Sequence, residues 1–349
     1  MVSAELVRSC PLFAGINTGD LEAFVGIFEQ VRFDAEAYLT RQGQPADHAL
    51  IIESGNADVV TALPGGGEAT VARLGPGSVL GEMALLEAGM RSATVVARTP
   101  LSACRIERDG FRLLLARRND AAFRIQHRIT LTLCKRLREL NARILACDAP
   151  ENTAPALSRA RVHSGASRGA CSFDYKAFLP LLPVFRRFGK NEIEAFAARA
   201  PAMELARGVT IFEQGAPSAA CYVVVRGAVE VSSARNGRRH RIGVIGPGQL
   251  CGHMGLIDGS KHSTTAVARE PTVLLELSSQ SFGELYDGRD PFAAKFQDAI
   301  NQNLLQALAR TNNHLTRLIS QARIRGGSAE RKEADELQRA LSTQDCRAA

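Results

Sequence analysis

Glu82 and Arg91 stand nine positions apart in "GEMALLEAGMRSAT", residues 81 to 94, and are the pair in this chain best suited to hold a charged small molecule. An arginine presents a planar fork of N–H donors that matches the oxygens of a phosphate two at a time, and it stays protonated at any ordinary pH. A glutamate supplies the opposite function, an acceptor for a hydroxyl proton. Gly81 and Ala84 keep bulk out of the same stretch, so backbone N–H groups of Met83, Ala84 and Leu85, at the start of a short helical turn, can point at an anion. Ser92 adds a hydroxyl beside the arginine, and Ala93 follows. Val71 and Leu74, on the preceding apolar run, are candidate walls for a flat group. In isolation, a Glu and an Arg at this spacing also describe an ordinary surface ion pair worth under about 1 kcal/mol.

The chain writes this stretch a second time, as "GHMGLIDGSKHSTT" from Gly252. Gly43 aligns with Gly215 and Gly55 with Gly227 at one spacing. Gly75 with Gly246, Gly81 with Gly252 and Phe111 with Phe282 follow at a spacing one residue shorter. The lost residue falls between "PGGGEA" and "ARNGRRH", where a hairpin tip tolerates a change in length. In the second copy His253 replaces Glu82 and His262 replaces Arg91. Histidine, with an ordinary pKa near 6.5, offers no permanent bidentate cation, so the second pocket is expected to hold a phosphate poorly. Cys251, His253 and His262 have side chains that suit zinc, but their spacing matches no standard ligand set and no metal is assigned. Another ligand, or a pH response through the histidines, is the other reading of this pocket. The simplest account is a degenerate domain kept for dimerisation or contact with a partner.

Elements must position these residues. "YLTRQG", "HALIIESGNADVVTA", "ATVARLGPG" and "SATVVARTPLSACRIE" are short β-branched runs punctuated by Gly and Pro, the pattern of a small antiparallel barrel or sandwich. "TGDLEAFVGIFEQV" and "KNEIEAFAARA" have helical periodicity ahead of the two copies. Long amphipathic helices are expected over about 116–146 and 290–322. Leu133, Leu137, Leu140 and Ile144 form one seam, and Leu304, Leu308, Leu315 and Leu318 another, to be covered by the chain's own barrel or by a partner helix.

This order of elements, with the glycine, glutamate, alanine and arginine positions of "GEMALLEAGMRSAT" in sequence, resembles the cyclic-nucleotide-binding domain family, which includes the catabolite activator protein and the regulatory subunits of protein kinase A. The resemblance covers nearly all of both halves. It implies a mainly β fold with flanking helices (α+β), two jelly-roll-like barrels each followed by a long helix. It implies a first domain over 1–146 with an intact phosphate cassette, a linker over 147–172, a degenerate second domain over 173–322 and a tail over 323–349. The implied ligand is cyclic AMP or cyclic GMP, with Arg91 on the cyclic phosphate and Glu82 on the ribose 2′-hydroxyl. By register with "KRLRELN", the resemblance also puts Asn141 against the purine. Ser92 and Asn141 are compatible with either base.

Composition agrees with a soluble globular chain: 349 residues with 45% hydrophobic and 23% charged, suggesting about two domains. No apolar run reaches the ~18 residues of a membrane span, and the start "MVSAELVRSCPLFAGI" reads as no secretory signal. Eight cysteines show no CxxC pair or compact framework, so reduced thiols in the cytoplasm are expected. No P-loop, GxSxG elbow or HExxH occurs, and no enzyme is expected. The net charge of +7, with Arg117, Arg118, Arg124, Arg128, Lys135, Arg136, Arg138 and Arg143 around one long helix, raises a DNA-binding regulator as the alternative. No module of helix-turn-helix length follows either long helix, and a solvated helix face accounts for the charge more simply. The expectation is therefore a cytoplasmic cyclic nucleotide sensor without a resident cofactor, a homodimer with an unidentified protein effector and no membrane or nucleic acid partner. A ligand-independent adaptor is a further alternative.

Overall fold

The computed structural model describes residues 10–16, 18–62, 68–146, 173–235 and 238–325. The expected linker over 147–172, and the expected tail beyond Arg325, lie outside the described residues. The chain forms two compact units, residues 1–132 with 323–349, and residues 133–322. The boundary between 132 and 133 falls inside the helix Asp120–Ala146.

The first unit contains β1 (Phe28–Phe33), β2 (Tyr38–Thr40), β3 (Pro45–Ala46), β4 (His48–Ser54), β5 (Ala57–Ala62), β6 (Glu68–Leu74), β7 (Val79–Leu80), β8 (Gly89–Met90), β9 (Thr94–Ala97) and β10 (Leu101–Glu107). They make two four-stranded antiparallel sheets, ordered β1-β10-β4-β7 and β2-β9-β5-β6, and a short β3-β8 ladder. Alternate residues of both sheets supply one core, with Leu50 and Ile52 of β4, Val59 of β5, Val95 of β9 and Ala103 of β10 buried together. This is the period-2 inward pattern of two stacked sheets.

The second unit repeats the plan with β11 (Ala202–Leu205), β12 (Thr210–Phe212), β13 (Ala220–Arg226), β14 (Val229–Arg235), β15 (Arg238–Ile245), β16 (Leu250–Cys251), β17 (Thr265–Ala268) and β18 (Thr272–Ser278). Its sheets run β11-β18-β13-β16 and β12-β17-β14-β15, strand for strand the order of the first. The jelly-roll-like, mainly β architecture with flanking helices is therefore present twice. An ion pair is duplicated as well: Arg98 Nε lies 3.0 Å from Asp58 in the first unit, and Arg269 Nη1 lies 3.2 Å from buried Glu230 at the matching positions of the second.

Helices depart from expectation in one place. The helix expected over 116–146 is present but begins at Asp120, and a separate helix that was not expected, Arg108–Ala116, precedes it. Arg118 takes φ 59° between them, and Asn119 Oδ1 accepts from the Ala122 N–H at 2.9 Å, capping the longer helix. The second long helix spans Pro291–Arg325. Leu133, Leu137, Leu140 and Ile144 are buried within the single chain, as are Leu304, Leu315 and Leu318. Leu308 is only half-buried, so the first seam is covered by the chain itself and the second is covered except at Leu308. Cys10, Cys104, Cys134, Cys221 and Cys251 are buried free thiols. Among the described residues no helix is long and apolar enough to cross a membrane.

Candidate functional site

Gly81 turns the chain at φ 74° and opens the 3-10 turn Glu82–Leu85. A Cβ on Gly81 would collide with Arg91 Nη1 and would lie 3.0 Å from the His48 carbonyl oxygen, so the position needs glycine both for its left-handed backbone and for the room that the guanidinium occupies. Arg91 itself is fixed by its main chain. Its N–H donates to the Gln44 carbonyl at 2.8 Å, and its carbonyl accepts from the Gly43 N–H at 2.9 Å, beside the β3-β8 ladder.

From that frame the Arg91 side chain turns inward and is only 7% exposed. Nη1 donates to the His48 carbonyl oxygen at 2.9 Å. Nη2 is buried and meets no hydrogen-bond partner among the described residues; the nearest carboxylate, Asp47 Oδ1, stands 4.0 Å away. Burial pulls the Arg91 pKa down and the charge of Asp47 opposes that pull, yet a guanidinium remains a cation at neutral pH. Asp47 is already bonded to His48 Nδ1 at 2.6 Å. Burial and the nearby Arg91 charge hold His48 below its ordinary pKa, so it adds no second positive charge at neutral pH. Glu82 is buried in the same cassette and acts electrostatically on Arg91. The arrangement is a desolvated cation with one donor edge unmet, and burial of that kind is unfavourable until an anion fills it. An oxyanion with two acceptor oxygens is the complement.

The remaining expected residues fall differently. Ala84 is buried in the turn, but its N–H donates to the Gly81 carbonyl at 3.0 Å, closing the i to i+3 bond of the 3-10 turn, which removes it from the anion donors expected there. Met83 and Leu85 lie in the same turn. Ser92 is exposed beside Arg91, and Ala93 packs on the sheet core while its carbonyl accepts from Thr40 Oγ1. Leu74, expected as a wall for the base, is a buried member of that core. Val71 sits on β6 with its side chain outside the described residues.

Asn141 requires the largest correction. The helix Asp120–Ala146 is unbroken, and at 1.5 Å per residue Asn141 sits about 30 Å beyond its start. It belongs to the second unit, where it lines a cavity of about 550 Å³ together with His253 and His262.

The second cassette keeps the backbone of the first and changes its electrostatics. Gly252 again has a left-handed φ, 83°, and opens the helix His253–Asp258. Where Gly81 faces a guanidinium, a Cβ on Gly252 would come 3.4 Å from Phe212 Cε1. Phe212 stands at the position of Thr40, and its ring stacks on His262 with centroids 4.0 Å apart. Aromatic surface thus fills the place of the lost arginine head. His253 is 4% exposed, and burial drives its pKa down to about 4, so it is neutral at physiological pH. Burial, then the charge of Arg138, lowers His262 too. Arg138 is bonded twice to Asp258, at 2.9 and 3.1 Å, and also reaches Ser260 and the Lys261 carbonyl. Among the described residues the grouping of possible metal ligands within 4.8 Å of one another is Asp47, His48 and Glu107; Cys251, His253 and His262 do not form one.

Sequence reasoning missed Asp47, the His48 carbonyl, Phe212 and Arg138. Asp47 and Phe212 left a signal in the repeat: "ADHA" aligns with "SAAC", so Asp47 becomes an alanine in the copy that has no Arg91 and gains Phe212, whereas the His48 carbonyl is main chain and has its counterpart in the Ala220 carbonyl.

The family model of the cyclic nucleotide-binding domain matches residues 30–118 and 202–289. The chain is 23% identical over 272 residues to a cAMP-dependent protein kinase regulatory subunit of Mycosarcoma maydis, covering 75% of this chain but only 42% of the length of that relative. It is 25% identical over 168 residues to a CRP-like cAMP-activated global transcriptional regulator of Mycobacterium tuberculosis, 47% of this chain and 73% of the other. Among solved structures, the regulatory domain of Toxoplasma gondii PKA with cAMP is similar over 86% of this chain and 95% of its own, at 18% identity and a TM-score of 0.33.

Proposed function

This chain belongs to the cyclic nucleotide-binding domain family in both of its halves, and from that premise we propose that it is a non-catalytic sensor of cyclic AMP or cyclic GMP whose ligand sits in the first domain. The observation that carries the proposal is the buried Arg91 guanidinium, seated against Gly81 beside Glu82, with Nη2 unpartnered among the described residues. The cyclic phosphodiester supplies the missing anion, and Glu82 accepts the ribose 2′-hydroxyl proton, so one site reads two features of a 3′,5′-cyclic nucleotide. The second domain provides the contact to a protein effector, and the cytoplasm is the compartment in which its buried thiols stay reduced. The arginines of the long helix argue less for nucleic acid than their number suggests, because Arg128 donates to the Leu12 carbonyl and Arg138 pairs with Asp258.

Calorimetric titration of the full chain with cyclic AMP and with cyclic GMP tests the proposal. The expected result is one cyclic nucleotide per chain, weakened roughly 10²- to 10⁴-fold in Arg91→Ala by loss of two charge-assisted hydrogen bonds. Equal affinity in Arg91→Ala, or no binding of either nucleotide, overturns it.

A further inference from the structure

Arg241 of β15, with Arg310 and Arg317 of the helix Pro291–Arg325, stands exposed at the rim of the cavity in the second unit. None of the three has a hydrogen-bond or ion-pair partner among the described residues. No Asp or Glu lines the cavity with them. Other arginines of the same unit are engaged: Arg138 by Asp258, and Arg239 and Arg269 by Glu230. Burial of part of its side chain draws the Arg310 pKa down, and no carboxylate opposes that pull. It remains a cation, partly stripped of water and without a counter-charge.

The repeat shows that these charges belong to the second copy alone. Asn119 Oδ1 accepts from the Ala122 N–H and Asp290 Oδ1 from the Ala293 N–H, each at 2.9 Å, so the two long helices start in the same register. Counted from those caps, Arg310 and Arg317 fall at the positions of Glu139 and Ala146. Arg241 pairs with Ser232 as Thr70 pairs with Val60, so it takes the place of a threonine. A lone exposed arginine is explained by solvation, but this set is organised. Arg310 and Arg317 share one face of the helix two turns apart, about 10 Å, and Arg241 rises from the strand beside them. One phosphate group cannot reach both helix positions, whereas carboxylates distributed along a peptide can. β15 is the outer strand of its sheet, and its Val244 is 48% exposed, which adds an apolar contact next to the charges.

Building on the reading of the second domain as the contact to an effector, we propose that the helix Pro291–Arg325 and β15 form the docking surface for an acidic segment of a partner protein, its carboxylates paired with Arg241, Arg310 and Arg317 and an apolar side chain set against Val244. Guanidinium forks suit carboxylates two oxygens at a time, and each pair formed supplies a counter-charge that the chain itself withholds.

The test follows fluorescence anisotropy of a labelled peptide of about ten residues, alternating Glu and Leu, on the full chain, beside a Lys–Leu peptide and duplex DNA. The acidic peptide should bind, less tightly as salt rises. Arg241→Gln, Arg310→Gln and Arg317→Gln should each weaken it roughly twofold to fivefold, and all three together roughly tenfold to a hundredfold. Arg310→Glu with Arg317→Glu should lose the acidic peptide and gain the Lys–Leu peptide, an exchange that unfolding would not produce. No binding of the acidic peptide, or equal binding by the triple variant, overturns the proposal. So does tighter binding of DNA that the triple variant loses, or displacement of the peptide by millimolar inorganic phosphate at constant ionic strength. Cyclic nucleotide titrated into the native chain and the triple variant should bind both equally. Absence of nucleotide binding in the native chain would sink the sensor reading, whereas failure of the peptide alone sinks only the docking surface.

Discussion

At the scale of single residues, the two copies show how burial sets the charge of a group. Arg91 keeps its proton because no protein environment readily removes it, and its burial is expressed as a demand for an anion. His253, at the glutamate position of the other copy, gives up its proton instead, with its pKa pressed down to about 4. The consequence for stability has a definite sign. Between about pH 6.5 and 4 the unfolded chain binds a proton at this histidine that the folded chain refuses, so stability falls as pH falls through that window and this contribution levels off below it. One such group gives a slope of at most about 1.4 kcal/mol per pH unit. His48 and His262 shift in the same direction and add to it. Urea denaturation of His253→Phe across that pH range should show the slope reduced by up to one proton; an unchanged slope would mean that His253 is protonated inside the fold.

At the scale of elements, the strands and the cassette turns were legible because their signals are local: β-branched runs, positive-φ glycines and a shared spacing between copies. The break at Arg117–Asn119 was harder to read, since an arginine at φ 59° has no compositional mark, although "RND" held the capping asparagine. The role of Leu74 was hard to read for a similar reason, because a core leucine and a pocket leucine are the same residue until the opposing sheet is in place. The end of the helix Asp120–Ala146 is a further case. Arg138 looked like part of a solvated basic face, and its two bonds to Asp258 appear only once the chain is folded. Burial alone would raise the Asp258 pKa, but hydrogen bonds from Arg138 and Ser260 hold it below the usual carboxylate range. Arg138→Ala should therefore destabilise the second unit by roughly 1–3 kcal/mol, the cost of leaving a mostly buried carboxylate unpaired after allowance for its partial exposure. Arg138→Lys should recover only part of this, since an ammonium cannot repeat the fork. Chemical denaturation of the two variants at pH 7 checks the order.

At the scale of the whole molecule, each unit has its own two sheets and its own core, the condition for two separate cooperative transitions. Scanning calorimetry should resolve them, and a cyclic nucleotide at 100 times its Kd should stabilise the transition of the first unit by about 2.7 kcal/mol while leaving the second in place. Arg91→Ala should abolish that shift, and equal movement of both transitions would mean that the second unit binds the same ligand. The duplicated plan was readable from sequence because glycines recur at matched positions, whereas the difference in what the two copies hold depended on Asp47, His48 and Phe212, which act only through the fold. The Phe212–His262 stack also makes the divergence a ratchet. Restoring arginine at 262 alone would drive its head into the phenylalanine ring, with alanines where the first copy has Asp47 and His48. Rebuilding the phosphate cradle of the first copy in the second would therefore take more than the one substitution at 262.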